Sequence, residues 1–215
     1  MDYETEEQQL EALKKWWKEN STNVIGGIFL GAAAILGWRY YGNVQTEHML
    51  QASSIYEQVK TSAINNAELD QQQIRVNNLM AEYADTPYAS LSAFAFTKQL
   101  LQNNDAVKAQ QQLDWVIQHG DEESFKVIAR LRQARLFFMA KQFDQALTLL
   151  STEYPVSFTA LYEELKGDIY LAQGKQIQAR AAYDKASLLA DNKPSKWLRL
   201  KRDEAVETNK AEPSA

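Results

Sequence analysis

Polar and apolar positions divide this chain into two unlike regions. From Asn20 to Trp38, NSTNVIGGIFLGAAAILGW, 19 consecutive residues carry no charge. After Gly42 the pattern changes, and apolar residues recur at three- and four-residue spacings. These predict amphipathic helices at about 43–63, 70–84, 88–102, 106–118, 124–140, 143–151, 158–173, 176–190 and 194–206. Breaks fall at NNAELD, DTP, NND, HGDEE, AKQ, EYP, QGK and DNKP, while ETNKAEPSA reads as a flexible tail. Proline is confined to positions 87, 155, 194 and 213, and β-branched runs are few, so strands are not expected. The fold class is all-α.

Short helices joined by short turns direct attention to repeats. The clearest unit begins at Ala160 and carries Gly167, Tyr170, Gly174, Ala179, Tyr183 and Ala186, at separations of 3, 4, 5, 4 and 3 residues. This is the small-and-aromatic signature of a tetratricopeptide hairpin. Small residues let two antiparallel helices touch, aromatic ones fill the space to the next hairpin, and Gly174 suits a turn with positive φ. Moving back 33 residues gives Ala134, Phe137, Lys141, Ala146, Leu150 and Glu153, and a further 37 reaches Ala109, Leu100 and Leu113. Gly167, Tyr170, Ala179, Tyr183, Ala186, Ala134, Phe137 and Ala146 are therefore expected to be packing residues. Residues 43–84 make a divergent first hairpin, and 194–206 a capping helix of the solenoid.

The uncharged stretch reads as a membrane span. At about 1.5 Å per residue, a helix continued to Tyr41 crosses a hydrocarbon core of about 30 Å. Trp16 and Trp17 at one end and Trp38, Tyr40 and Tyr41 at the other match aromatic belts. A soluble core helix would need to be buried on every side. A cleaved signal peptide is the better rival, because Ala32-Ala33-Ala34 is small-x-small, but the preceding residues are acidic and too many. Lys14, Lys15 and Lys18 precede the span and only Arg39 closely follows it, which orients residues 1–19 to the cytoplasm and the repeats outside. The expected organisation is a cytoplasmic tail 1–19, an anchor 20–41, a periplasmic repeat domain 42–206 and a tail 207–215. Gly27 and Gly31 have the small-xxx-small spacing that lets membrane helices pair.

Charge and chemistry narrow the function. A net charge of -5 argues against nucleic acid as a main partner. Without cysteine, and with only His48 and His119, thiolate catalysis and Cys- or His-rich metal sites have no residues to use. No phosphate loop, dinucleotide fingerprint or nucleophile elbow is present. The pairs Glu122-Glu123 and Glu163-Glu164 read as solvated helix positions, and the basic run Lys193, Lys196, Arg199, Lys201 and Arg202 as a solvated face. Neither a cofactor nor enzymatic activity is expected. Binding of other proteins is. The positions expected to face a concave groove are Leu91, Phe94, Lys98 and Leu101; Ile128, Leu131, Arg135, Phe138 and Met139; and Leu161, Asp168 and Leu171. Phe138-Met139 is the adaptable pair among them.

An acidic amino end with EALKKWWKEN, an apolar span ending LGWRYY, and hairpins containing ARLRQARLFFMAKQFDQAL and ELKGDIYLAQGKQIQARAAY resemble the YfgM family of Gram-negative bacteria, ancillary subunits of the Sec translocon. The resemblance extends over nearly the whole chain. It implies a single-pass inner-membrane protein facing the periplasm, associated with SecYEG and a PpiD-type chaperone, that helps hand over newly translocated proteins. It leaves open whether unfolded clients are bound directly. The alternatives are a scaffold for another envelope assembly, and a tether acting on a cytosolic stress regulator through residues 1–19.

Overall fold

The computed structural model describes residues 6–64, 69–189 and 195–207. The chain divides into two units, residues 1–51 and 52–215. The tail expected at 207–215 lies, beyond Glu207, outside the described residues, as do most of the breaks expected at 65–70 and 191–194.

Helix α1, Glu6–Ile64, is a single element of 59 residues. The sequence pattern separates an acidic end, an apolar span and a helix from 43, but the backbone joins all three. Gly42 is the expected weak point. One glycine costs a helix only about 1 kcal/mol, too little to end an element of 59 residues, and the Thr46 hydroxyl donates to the Gly42 carbonyl at 2.8 Å. The helix is long and apolar enough to cross a membrane. Its apolar side chains are bare, with Phe29 71%, Leu30 75% and Trp38 81% exposed. A core helix of a soluble domain would bury them.

The second unit continues with α2 (Leu69–Glu82), α3 (Pro87–Gln102), α4 (Ala106–His119), α5 (Glu123–Met139), α6 (Phe143–Leu150), α7 (Thr159–Ala172), α8 (Gln176–Leu189) and α9 (Lys196–Glu207). Among the described residues no strand occurs. A single 3₁₀ turn, Val156–Phe158, precedes α7.

Three of the hairpin turns are built alike. Asn104, Lys141 and Gly174 have φ of 60°, 59° and 73°. In each, the residue after the turn donates its N–H back to the carbonyl five positions earlier: Asp105 to Leu100, Gln142 to Phe137 and Lys175 to Tyr170, all at 2.8 Å. The turn residues themselves bond to Leu101, Phe138 and Leu171. This is the Schellman closure, and it requires a left-handed residue at one position. The same residue that closes α3 opens α4, because the Asp105 carboxylate accepts from the Lys108 N–H at 3.0 Å. Only Gly174 meets the conformational demand without strain; Lys141 holds it at a cost of about 1 kcal/mol.

The core is a chain of clusters, as expected when each hairpin buries its face only against its neighbours. Ala52, Val59, Val76, Leu79, Phe96 and Leu100 form the first. Ala93, Phe94, Leu113, Val116 and Ala129 join α3, α4 and α5. Val127, Leu131, Ala134, Ala146, Leu150, Tyr162, Leu165 and Ile169 join α5, α6 and α7. Ala179, Tyr183, Ala186, Leu198 and Ala205 join α8 to α9.

Candidate partner-binding groove

Between α3 and α5 lies a cavity of about 530 Å³. Phe94, Thr97, Lys98, Leu101 and Gln102 form one wall, Arg132, Arg135, Leu136 and Met139 the other, and Leu113 of α4 lies between them. The walls follow helical geometry. Positions 94, 98 and 101 form one stripe of α3, and 132, 135, 136 and 139 one stripe of α5. Its lining is mostly apolar, with Met139 78% exposed at the edge. The polar exceptions are chiefly cations. The Arg132 guanidinium lies 4.3 Å from the centre of the Phe94 ring, a cation–π contact. Burial and then the neighbouring Arg135 charge push the Arg132 pKa down. Among the described residues no carboxylate pairs with Lys98, Arg132 or Arg135.

Phe94, Lys98, Leu101, Arg135 and Met139, all chosen from sequence, come together here. The other groove positions do not. Leu131 is 4% exposed in the core between α5 and α7, and Phe138 packs onto that same core, 6.1 Å from the Phe143 ring. The error is one of helical phase. A stripe drawn through 131, 135 and 138 is turned about 100° from one through 132 and 139, so Phe138 and Met139 face different surroundings. Arg132 and Leu136 belong to the stripe that does face the cavity. Asp168 accepts from the Tyr183 hydroxyl at 2.8 Å and the Lys201 ammonium at 2.9 Å; Leu171 packs against the α8–α9 cluster. Both belong to the last hairpin. Leu91 and Ile128 are half-buried, and Leu161 is exposed, but none lines the cavity.

The residues read as repeat packing occupy the interior of the hairpins. A Cβ built on Gly167 would meet the Tyr183 ring at 2.4 Å, and Tyr183 is fully buried. Ala134, Ala146, Ala179 and Ala186 are fully buried, while Phe137 and Tyr170 are partly buried against the adjoining clusters. On α1, nothing lies within 4 Å of a Cβ added at Gly27 or Gly31.

Glu163 is not solvated, contrary to the sequence reading. It is 4% exposed and accepts from Tyr154 at 3.1 Å, Lys166 at 3.0 Å and Lys185 at 2.9 Å. Burial alone would raise its pKa, but hydrogen bonds from Lys185 and Lys166, the Lys166 charge and the Tyr154 hydroxyl hold it below the usual value. Tyr154 is pushed up to about 12 by burial and by Glu163. Lys201 bridges Glu164 at 2.8 Å and Asp168 at 2.9 Å. Burial opposes its charge, yet these two carboxylates raise its pKa. Burial and the bond to Asp168 raise that of Tyr183. The cluster ties α7 to α8 and α9, a structural use of its charges. Among the described residues no group of three or more His, Asp or Glu is placed to hold a metal ion.

A family described as a tetratricopeptide repeat-like domain matches residues 14–207. The chain is 31% identical over 183 residues to a protein of Haemophilus influenzae named ancillary SecYEG translocon subunit, covering 84% of this chain and 88% of that one. It is also 31% identical over 193 residues to the protein of that name from Escherichia coli, covering 90% and 92%. The chain belongs to this family. A relative of the same name in Neisseria gonorrhoeae is 26% identical, over 92% of this chain and 96% of its own length. The family match takes in most of α1 as well as the hairpins. No solved structure matches the chain.

Proposed function

We propose that this protein is a non-catalytic accessory subunit of the Sec translocon, anchored in the inner membrane through residues 20–41. The name shared by relatives aligned over most of the chain carries this reading. The bare apolar side chains of α1 support the anchor, with Gly27 and Gly31 as its helix-pairing positions. Lys14, Lys15 and Lys18 support an amino end in the cytoplasm and repeats in the periplasm. There, residues 42–206 link SecYEG to a PpiD-type chaperone and assist hand-over of newly translocated proteins. Tethering raises the effective concentration of the repeat surface near membrane partners, so modest contacts suffice.

The test is co-purification of the full-length protein from membranes in mild detergent, with mass spectrometry of what accompanies it. Channel subunits together with a membrane-anchored periplasmic chaperone are expected. Recovery of factors of another envelope assembly without the channel would overturn the translocon reading. Recovery of a cytosolic regulator alone, lost on deleting residues 2–13, would replace it with the tether.

A further inference from the structure

The α3–α5 cavity has a charge that the rest of the chain does not predict. The protein carries 28 acidic and 23 basic residues, yet three cations and no carboxylate line this cavity. Arg132, held over the Phe94 ring and paired with no carboxylate among the described residues, has N–H donors to offer a ligand. Its neighbour Arg135 repels it, and an anion between them relieves that repulsion. Each wall carries both apolar and cationic positions, so an occupant must offer both kinds of group within a short distance.

We propose that this groove binds an acidic, apolar-anchored peptide segment of a partner protein, with apolar side chains on Phe94, Leu136 and Met139 and carboxylates on Lys98, Arg132 and Arg135. The assignment rests on the reading of the repeats as a protein-docking surface and adds the chemistry of the partner. Dimensions favour a peptide over a lipid. The walls run from Phe94 to Gln102 and from Arg132 to Met139, about 10–12 Å of helix, enough for the i and i+4 side chains of a docked helix. They are shorter than an acyl chain, which fills half of a hydrocarbon core about 30 Å thick. Carboxylates suit the guanidinium edges through paired N–H bonds, and helix-in-groove docking is a general mode for such walls.

The experiment measures fluorescence anisotropy of the detergent-solubilised full-length protein with a labelled synthetic peptide carrying Leu at i and i+4 and flanking Glu. Two control peptides replace Glu by Lys and Leu by Ser. The Leu/Glu peptide is expected to bind on the order of tenfold more tightly than either control, and to weaken as salt rises. Arg132→Gln with Arg135→Gln should remove that preference while leaving the melting temperature unchanged. Lys98→Glu with Arg135→Glu should transfer the preference to the Lys peptide, which no purely structural role would do. Equal binding of the Glu and Lys peptides, or a preference that survives charge reversal, would overturn the assignment. So would phosphatidylglycerol vesicles binding through Arg132 and Arg135 in the absence of peptide binding. Channel recovery in the co-purification is read separately: a failed peptide with the channel still recovered removes only this inference, and a missing channel removes the broader reading whatever the peptide does.

Discussion

In the α7–α9 hairpin and cap, buried charge is answered. Glu163 takes three donors, Asp168 takes two, and Lys201 spans two carboxylates. From α2 to α4, polar groups are treated differently. Gln72 is fully buried with neither amide atom hydrogen-bonded, Ser90, Gln99 and Gln112 each keep one such atom, and α3 presents Lys98 to a cavity without an acid. Among the described residues the last hairpin has one orphan of this kind, Gln173 Oε1. The contrast teaches where stability and recognition sit in one solenoid. Satisfied networks rigidify a hairpin, whereas buried unpaired polar groups lower its stability; recognition falls instead to the cations that line the cavity.

The largest effect should come from Tyr183→Ala, which empties the space over Gly167 and releases Asp168. A loss of about 3–5 kcal/mol is expected, read as urea unfolding of the detergent-solubilised chain, with amide exchange rising in α7–α9 before α3–α5. Uniform exchange would break the division. Gly167→Ala drives a methyl into the same ring and should lose about 1–3 kcal/mol; an unchanged midpoint would show that the two helices separate freely. Gln72→Met removes two unsatisfied atoms at similar volume and is expected to stabilise α2–α4 by about 1–3 kcal/mol. Destabilisation there would mean that the amide has a use within the fold. Lys141→Gly should raise stability by about 0.5–1 kcal/mol, since φ of 59° suits glycine, while the same change at an exposed interior helix position lowers it.

The smallest differences near neutral pH come from titration, and they fall on α7–α9 at both ends of the pH range. Glu163 has a depressed pKa, so its contribution is full above the unfolded value of about 4.3 and is lost as pH falls through the folded one. Lys201 and Tyr183 have raised pKa values. Their contributions are full below the unfolded values of about 10 and are lost as pH rises further. Melting of α7–α9 should therefore weaken below about pH 4 and above about pH 10, with α3–α5 less affected on both sides. Equal sensitivity would contradict the network's role.

Much of the helical order was legible because apolar spacing reports the buried face directly. The turn equivalence of Asn104, Lys141 and Gly174 follows from offsets of 37 and 33 residues, even though only one of them is glycine. Two features were not legible. The continuity of α1 through Gly42 was hidden because a change of pattern at one glycine looks like a boundary, whereas its cost of about 1 kcal/mol is small against a helix of 59 residues. Groove membership depends on helix phase, and Leu131, Phe138, Asp168 and Leu171 are consumed by packing or pairing that involves residues remote in sequence. Arg132 escaped notice because its significance lies in Phe94, 38 positions away, beneath its guanidinium.

The most direct measurement is photo-crosslinking in intact membranes from a photoreactive residue placed at Met139, compared with one at Ile177. Both side chains are 78% exposed, so accessibility is matched and location alone differs. Crosslinks from 139 to a channel subunit or a membrane-anchored periplasmic chaperone, with 177 silent, are the predicted result. Partner crosslinks from 177 with none from 139 would contradict the account, because recognition would then lie on the hairpin assigned to stability.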